Sequence, residues 1–244
     1  MPQFFIDREI VPGSEIEIRG RDARHILQSL RLAPGDGLMI SDGRGRSYRS
    51  MITDCGTATV RARIECEVVR PEGATPPALA IASIRSERLE WAAQKAVELG
   101  CRRIIVFNSA RTVRRARGGQ SSSKVARLGR IAQEAAKQSG APFTPHVDGP
   151  VEFAGLLSEL GTFEPKIILH EGRTESDMRG AIGGARRGEG IIIVGPEGGF
   201  TEGEVKLATD AGCVSATLGS QILRVETAAV TALAIYQHEI GNLG

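Results

Sequence analysis

IIIVGPEGGFTEGEV, Ile191–Val205, carries three structural statements in one short stretch. Ile191–Val194 is apolar without alternation, the pattern of a strand covered on both faces. Gly195-Pro196-Glu197-Gly198-Gly199-Phe200 is a turn, where glycines let the backbone approach a ligand closely. Thr201 and Glu204 have the spacing of a capping box, with Thr201 as N-cap and Glu204 reaching back, so a helix begins there. Strand, turn, helix is one step of a parallel α/β sheet.

The flanking sequence repeats that step. LAIASI (79–84), RIIVF (103–107), KIILH (166–170) and CVSATL (213–218) read as further strands. ERLEWAAQKAVELG (87–100) reads as a helix, with Leu89, Ala92, Ala93, Ala96 and Val97 at helical spacing and Gly100 beyond its end. SSSKVARLGRIAQEAAKQSG (121–140) and VETAAVTALAIYQHEIG (225–241) read as helices too. The texture before Arg70 differs. QFFI, SEIEI, GLMIS, RSYRSMIT and TATVRARIECEVV are short strands, and in the last Val60, Ala62, Ile64 and Cys66 alternate with Arg61, Arg63 and Glu65. RDARHILQSLRL (21–32) is the one helix among them, and PGDG and SDGRG are turns. RPEGATPP (70–77), with three prolines and a glycine, is the linker. Residues 1–72 are therefore expected to form a small, mostly antiparallel barrel, and residues 73–244 an α/β domain.

Composition narrows the function classes. Apolar residues make up 41% of the 244 residues, and no apolar run approaches the ~18 that a membrane helix needs. The N-terminus lacks the charged and apolar regions of a signal peptide, so a cytoplasmic location is expected. Cys55, Cys66, Cys101 and Cys213 show no Cys-x-x-Cys spacing and the four histidines are scattered, so the sequence predicts neither a metal site nor a disulfide framework, and reads the cysteines as small buried hydrophobes. Charge is concentrated. Leu99–Gln133 contains no acid and nine cations: Arg102, Arg103, Arg111, Arg114, Arg115, Arg117, Lys124, Arg127 and Arg130. With a net charge of +2 for the chain, the remainder stands at −7. A basic stripe with no local acid to pair with points to a polyanion such as nucleic acid.

Two strand ends carry candidate chemistry, because parallel sheets bind ligands at the carboxyl ends of their strands. The glycine turn lacks the Gly-Lys-Ser/Thr of a nucleotide-phosphate loop, Gly-x-Gly-x-x-Gly is absent, and Glu197 in its middle would repel phosphate. The turn therefore suits a ligand that is not strongly anionic. The second end is TLGSQILRVETAAV (217–230), a strand, a short loop and a helix start. Glu226 in the first turn suits the helix dipole, whereas Arg224 just before it opposes the dipole, so stability does not explain Arg224. Lys95 and Glu98 lie opposite the apolar stripe of their helix and have the spacing of an ion pair.

Taken together, KAVELG, EAAKQSG, VGPEGGFTEGEV and LGSQILRVETAAVTAL, in this order and after RHILQSLRLAPGDGL, resemble the RsmE family of ribosomal RNA methyltransferases over nearly the whole chain. The resemblance implies a PUA-like β-barrel for RNA followed by a SPOUT-type parallel α/β domain with a C-terminal trefoil knot, and a homodimer. It implies S-adenosylmethionine as cofactor and methylation of N3 of a uridine in 16S ribosomal RNA, presented as free RNA or within the small ribosomal subunit. By resemblance, Leu169, His170, Gly195, Glu197 and Gly199 line one wall of the cofactor pocket, and Leu218, Ser220, Ile222 and Leu223 line the other. Arg8, His25, Arg31 and the Arg44–Arg49 turn, with Arg111, Arg114 and Arg115 of the stripe, form the expected RNA surface. Arg224 is expected to contact the uracil anion and Glu226 to serve as base. Gln3 and Ala141 stand where family members commonly carry a basic residue. A ribose 2′-O-methyltransferase of the same superfamily and a non-catalytic RNA-binding protein are the competing readings.

Overall fold

The computed structural model describes residues 1–69, 73–112, 119–172, 176–183 and 189–244. Its chain divides into two compact units, Met1–Pro71 with Ala136–Thr144, and Glu72–Ala135 with Pro145–Gly244. Arg70, Pro71 and Glu72 of the expected linker lie outside the described residues.

The first unit is a five-stranded sheet of β1 (Gln3–Phe5), β2 (Glu15–Arg19), β3 (Gly37–Ser41), β4 (Ser47–Cys55) and β5 (Thr59–Glu67), in the order β1-β3-β4-β5-β2. Only β1 and β3 run parallel. Two irregularities in the β4–β5 register, at Arg49/Ser50 and Ile52/Asp54, bend the sheet around its core. That core takes Ile16 and Ile18 from β2, Leu38 and Ile40 from β3, Tyr48 and Ile52 from β4, and Val60, Ala62 and Ile64 from β5. The alternation expected in β5 holds through Ile64 and stops there. Cys66 is exposed, a correction to the reading of all four cysteines as buried; Cys101 and Cys213 are buried and Cys55 is half-buried.

The helix expected over 21–32 is shorter than its pattern. Helix α1 (Gly20–Arg24) runs into a π-helical turn, His25–Ser29, and the chain leaves it through Arg31 in the left-handed region at φ 53°. Ala136–Thr144, which the sequence reading placed in the second domain, packs with this unit. Ser41 Oγ donates to Pro142 O at 2.8 Å, and Gln3 Nε2 donates to Ala141 O at 2.5 Å. The two positions that depart from the family pattern thus meet in one contact. A buried glutamine amide satisfies the backbone carbonyl there without bringing a charge into the interior.

The second unit is a seven-stranded sheet in which every pairing is parallel. Its strands are β6 (Ala78–Ala82), β7 (Arg103–Asn108), β8 (His146–Glu152), β9 (Lys166–Leu169), β10 (Ser176–Asp177), β11 (Ile191–Val194) and β12 (Val214–Thr217), in the order β10-β12-β9-β11-β6-β7-β8. All residues of β6 and β11 are buried, as a sheet covered on both faces requires. The connecting helices are α2 (Ser86–Glu98), α3 (Gly119–Ser139, of which the residues from Ala136 on belong to the first unit), α4 (Phe153–Ser158), α5 (Met178–Ile182), α6 (Glu202–Asp210) and α7 (Val225–Glu239). In α2 the buried residues are Leu89, Ala92, Ala93, Ala96 and Val97, the stripe read from the sequence. Strand β8 was not legible. Its sequence, HVDGPVE, has a Gly-Pro in the middle, and it is tolerated because β8 lies at the sheet edge.

Candidate active site

Strands β11, β9 and β12 are neighbours, and their carboxyl ends open together on one cavity of about 210 Å³. One wall is the turn after β11. Gly195 faces the Phe200 ring so closely that an added Cβ would lie 2.8 Å from it, and Gly199 is left-handed at φ 67°, so both positions call for glycine. Phe200 is 4% exposed, lies parallel to Phe107 at 6.2 Å and packs on Phe153 at 5.4 Å. The capping box is present: Glu204 N donates to Thr201 Oγ1 at 3.2 Å, and Thr201 N donates to Glu204 Oε2 at 2.9 Å. Glu204 does more than cap. Its Oε1 accepts from Ala110 N at 2.8 Å, tying the loop after β7 to the glycine turn. Arg111, from the same loop, donates through Nη1 to Gly198 O at 2.8 Å.

The opposite wall is Thr217–Leu223, continued by Val225 and Ala228 of α7. Its only side-chain hydrogen bonds among the described residues join Thr217 Oγ1 to the backbone of Gly219. Ile222 is 79% exposed. Arg224 is the N-cap of α7, extended, exposed and without a side-chain capping bond.

The cavity is lined by apolar side chains such as Leu169, Val194 and Leu223 together with glycines, and Arg111, which donates to Gly198 O, is the one lysine or arginine among the lining residues. With that guanidinium tied to a backbone carbonyl and Glu171 also in the lining, the cavity suits a nucleoside with a zwitterionic tail better than a phosphate. No cysteine lines it either. Burial pushes the Cys101 thiol up to about 12 and the Cys213 thiol up to about 11, which removes both as thiolate nucleophiles near neutral pH. No group of three or more metal-ligating side chains exists among the described residues.

Known proteins share both the sequence and this architecture. Residues 71–237 match the family model of the RNA methyltransferase domain, and residues 18–65 that of the RNA methyltransferase PUA domain. The chain is 31% identical to ribosomal RNA small subunit methyltransferase E of Mycobacterium bovis, over 94% of this chain and 88% of the relative. It is 30% identical to the Bacillus subtilis enzyme of the same name, over 98% of each. The chain belongs to the ribosomal RNA small subunit methyltransferase E family. A crystal structure of the family member from Neisseria gonorrhoeae, bound to S-adenosylmethionine, superposes with a TM-score of 0.86 at 29% identity, covering 98% of this chain and 97% of that one.

Within this methyltransferase, the structure gathers Leu169, His170, Gly195, Gly199, Leu218, Ser220, Ile222 and Leu223 around the cavity. Glu197, expected beside them, is not among the lining residues. Its carboxylate turns to Arg88, with Oε1 at 3.7 Å from Nη1. Glu226 does not line the cavity either. Its side chain is 13% exposed and its Oε1 lies 3.7 Å from Arg88 Nε, because position 226 lies on the side of α7 that faces α2. Lys95 and Glu98 form the ion pair their spacing suggested, at 2.7 Å.

The expected RNA contacts divide. Arg8, His25 and Arg31 are exposed on the first unit, with His25 set edge-on to Phe4 at 6.2 Å. Arg114 and Arg115, with Arg117, lie outside the described residues. Arg111 lines the cavity, tethered to the glycine turn. The premise that the stripe finds no acid needs correction, because distant elements supply them: Arg127 meets Glu90 at 2.8 Å, and Arg103 meets Asp148 at 3.1 Å. Local sequence contains no acid, but pairing is decided in space. Sequence reasoning missed Arg88, Phe200 and Arg111 as parts of the site's frame. An aromatic directly after two glycines was the one signal available for Phe200.

Proposed function

We propose that this protein transfers a methyl group from S-adenosylmethionine to N3 of a uridine in 16S ribosomal RNA. The observation that carries this reading is the cavity between the glycine turn and the Thr217–Leu223 loop, lined without lysine at the carboxyl ends of three adjacent parallel strands. The named relatives, one of them bound to S-adenosylmethionine, support it. Leu169, Gly195, Gly199, Leu218 and Leu223 would hold the adenosine and its tail, chiefly through backbone groups. The cofactor supplies an electrophilic methyl when bound.

The chain's own task is to bring uracil N3 in line with that methyl and to stabilise the anion left when N3 loses its proton. Arg224, exposed at the rim and opposed to the helix dipole, is assigned to that anion. Glu226, expected as base, faces Arg88 and is not carried forward as a group that touches the uracil. The target base must be unpaired or flipped, since N3 is engaged in a base pair. Arg8, His25 and Arg31 on the PUA-matching unit, with Arg114 and Arg115, are proposed to hold RNA phosphate.

The same reading includes a SPOUT-type domain with a C-terminal trefoil knot, a homodimer, and a cytoplasmic site of action, where ribosomal RNA is found. The parallel sheet with β11 between β6 and β9 supports the α/β domain of this reading.

Methyl transfer to free 16S RNA and to small subunits from a strain lacking this activity, followed by nucleoside mass spectrometry, tests the assignment. N3-methyluridine is expected. A ribose methyl would transfer the assignment to the 2′-O class, and no binding of S-adenosylmethionine by calorimetry would leave only RNA binding.

A further inference from the structure

Arg88 has no role in the reading above, yet two separate elements converge on it. It is the third residue of α2, and a cation in a helix's first turn sits against the dipole, so local helix stability does not account for it. Its partners come from far along the chain: Glu197 of the glycine turn, with Oε1 3.7 Å from Nη1, and Glu226 of α7, with Oε1 3.7 Å from Nε. These two carboxylates are rooted in opposite walls of the cavity. Glu197 sits between Pro196 and Gly198, and Glu226 directly follows Val225; those three neighbours line the cavity while Arg88 does not.

At 3.7 Å the contacts are too long to be strong hydrogen bonds, so what Arg88 supplies is charge. Without it, two carboxylates would face each other across the frame of the site. Glu226 Oε2 is also buried without a hydrogen-bond partner among the described residues. A buried carboxylate in that condition depends on a nearby cation.

We propose that Arg88 is a positioning residue that ties the two walls of the cofactor cavity together through Glu197 and Glu226, and so sets the affinity for the methyl donor. The proposal rests on the cofactor reading above. Because the contacts are made by charge and not by a bidentate fork, lysine should substitute for arginine here.

The test is calorimetric titration of the full-length protein with S-adenosylmethionine and with S-adenosylhomocysteine, neither of which requires turnover. R88M is expected to weaken both about tenfold while KM for RNA moves less than about twofold, and R88K to recover most of the loss. E226Q is expected to weaken cofactor binding about threefold, which a proton acceptor acting only on the uracil would not do. R88M/E226Q should bind no worse than R88M, since the two changes break one bridge. Binding by R88M within twofold of the parent overturns the proposal, as does R88K no better than R88M. Should R88M fail to fold by circular dichroism, E226Q decides, and unchanged cofactor affinity in E226Q overturns the proposal. A parent protein that binds neither nucleoside overturns the cofactor reading and this proposal with it.

Discussion

The turn Gly195–Phe200 and the loop Leu218–Arg224 face each other across one cavity and are fastened very unequally. The turn is held by a capping box, by Glu204 to Ala110, by Arg111 to Gly198 and by a ring stack through Phe200. Among the described residues the loop has only the two local Thr217–Gly219 side-chain bonds at its start, and its apolar tip, Ile222, stands in solvent. One wall is preorganised by the fold, and the other is left for a ligand to complete. Such a division offers a ligand one surface fixed by the fold and, on the other side, exposed apolar surface whose burial would add to binding.

Four changes would break or sharpen that contrast. Arg224→Ala, on the rim beyond the loose wall, should lower methyl transfer on the order of 100-fold or more. Measured with labelled S-adenosylmethionine, the loss should appear in turnover, with cofactor affinity by calorimetry near that of the parent. Phe200→Ala removes the ring that the fixed wall packs around and should cost about 3 kcal/mol of stability, read from chemical denaturation. Loss of activity without loss of stability would show that this wall is not held by packing. Glu204→Ala deletes the capping box and the acceptor for Ala110, for about 1–2 kcal/mol by the same measurement. Ile222→Ala should leave stability within about 0.5 kcal/mol, as for an exposed side chain. It should still weaken cofactor binding about fivefold, the equivalent of about 1 kcal/mol of apolar burial on closure. If Ile222→Ala instead destabilises the apo protein, the two walls are more alike than the structure indicates.

Much of the second unit was readable because its signals are local. Unbroken apolar runs marked β6, β9 and β11, helical spacing marked the five buried residues of α2, and Thr201 with Glu204 marked the start of α6. Strand β8 was lost because its Gly-Pro is a local breaker that only an edge position excuses. The π-helical turn at His25–Ser29 was lost because its periodicity departs from the helical one over only a few residues. For the site, Leu169, His170, Gly195, Gly199, Leu218, Ser220, Ile222 and Leu223 lie within contiguous motifs, and it was the family resemblance of those motifs that named them together. Glu197 and Glu226 belong to the same motifs, but their side chains face a residue more than a hundred positions away.

What the amino-acid sequence determined alone is therefore most of what neighbours along the chain set: the types of most strands and helices, the glycines of the turn, the cap, and the order of motifs that marks the family. Beyond local pairs such as Lys95–Glu98, tertiary structure alone decided which charges meet. It gave Arg127 and Arg103 their acids, joined Gln3 to Ala141, and put one guanidinium between the two carboxylates of opposite walls. The reason is range. Turns, caps and helices are governed by sterics and hydrogen bonds within a few residues, whereas an ion pair or a packed side chain depends only on distance in space.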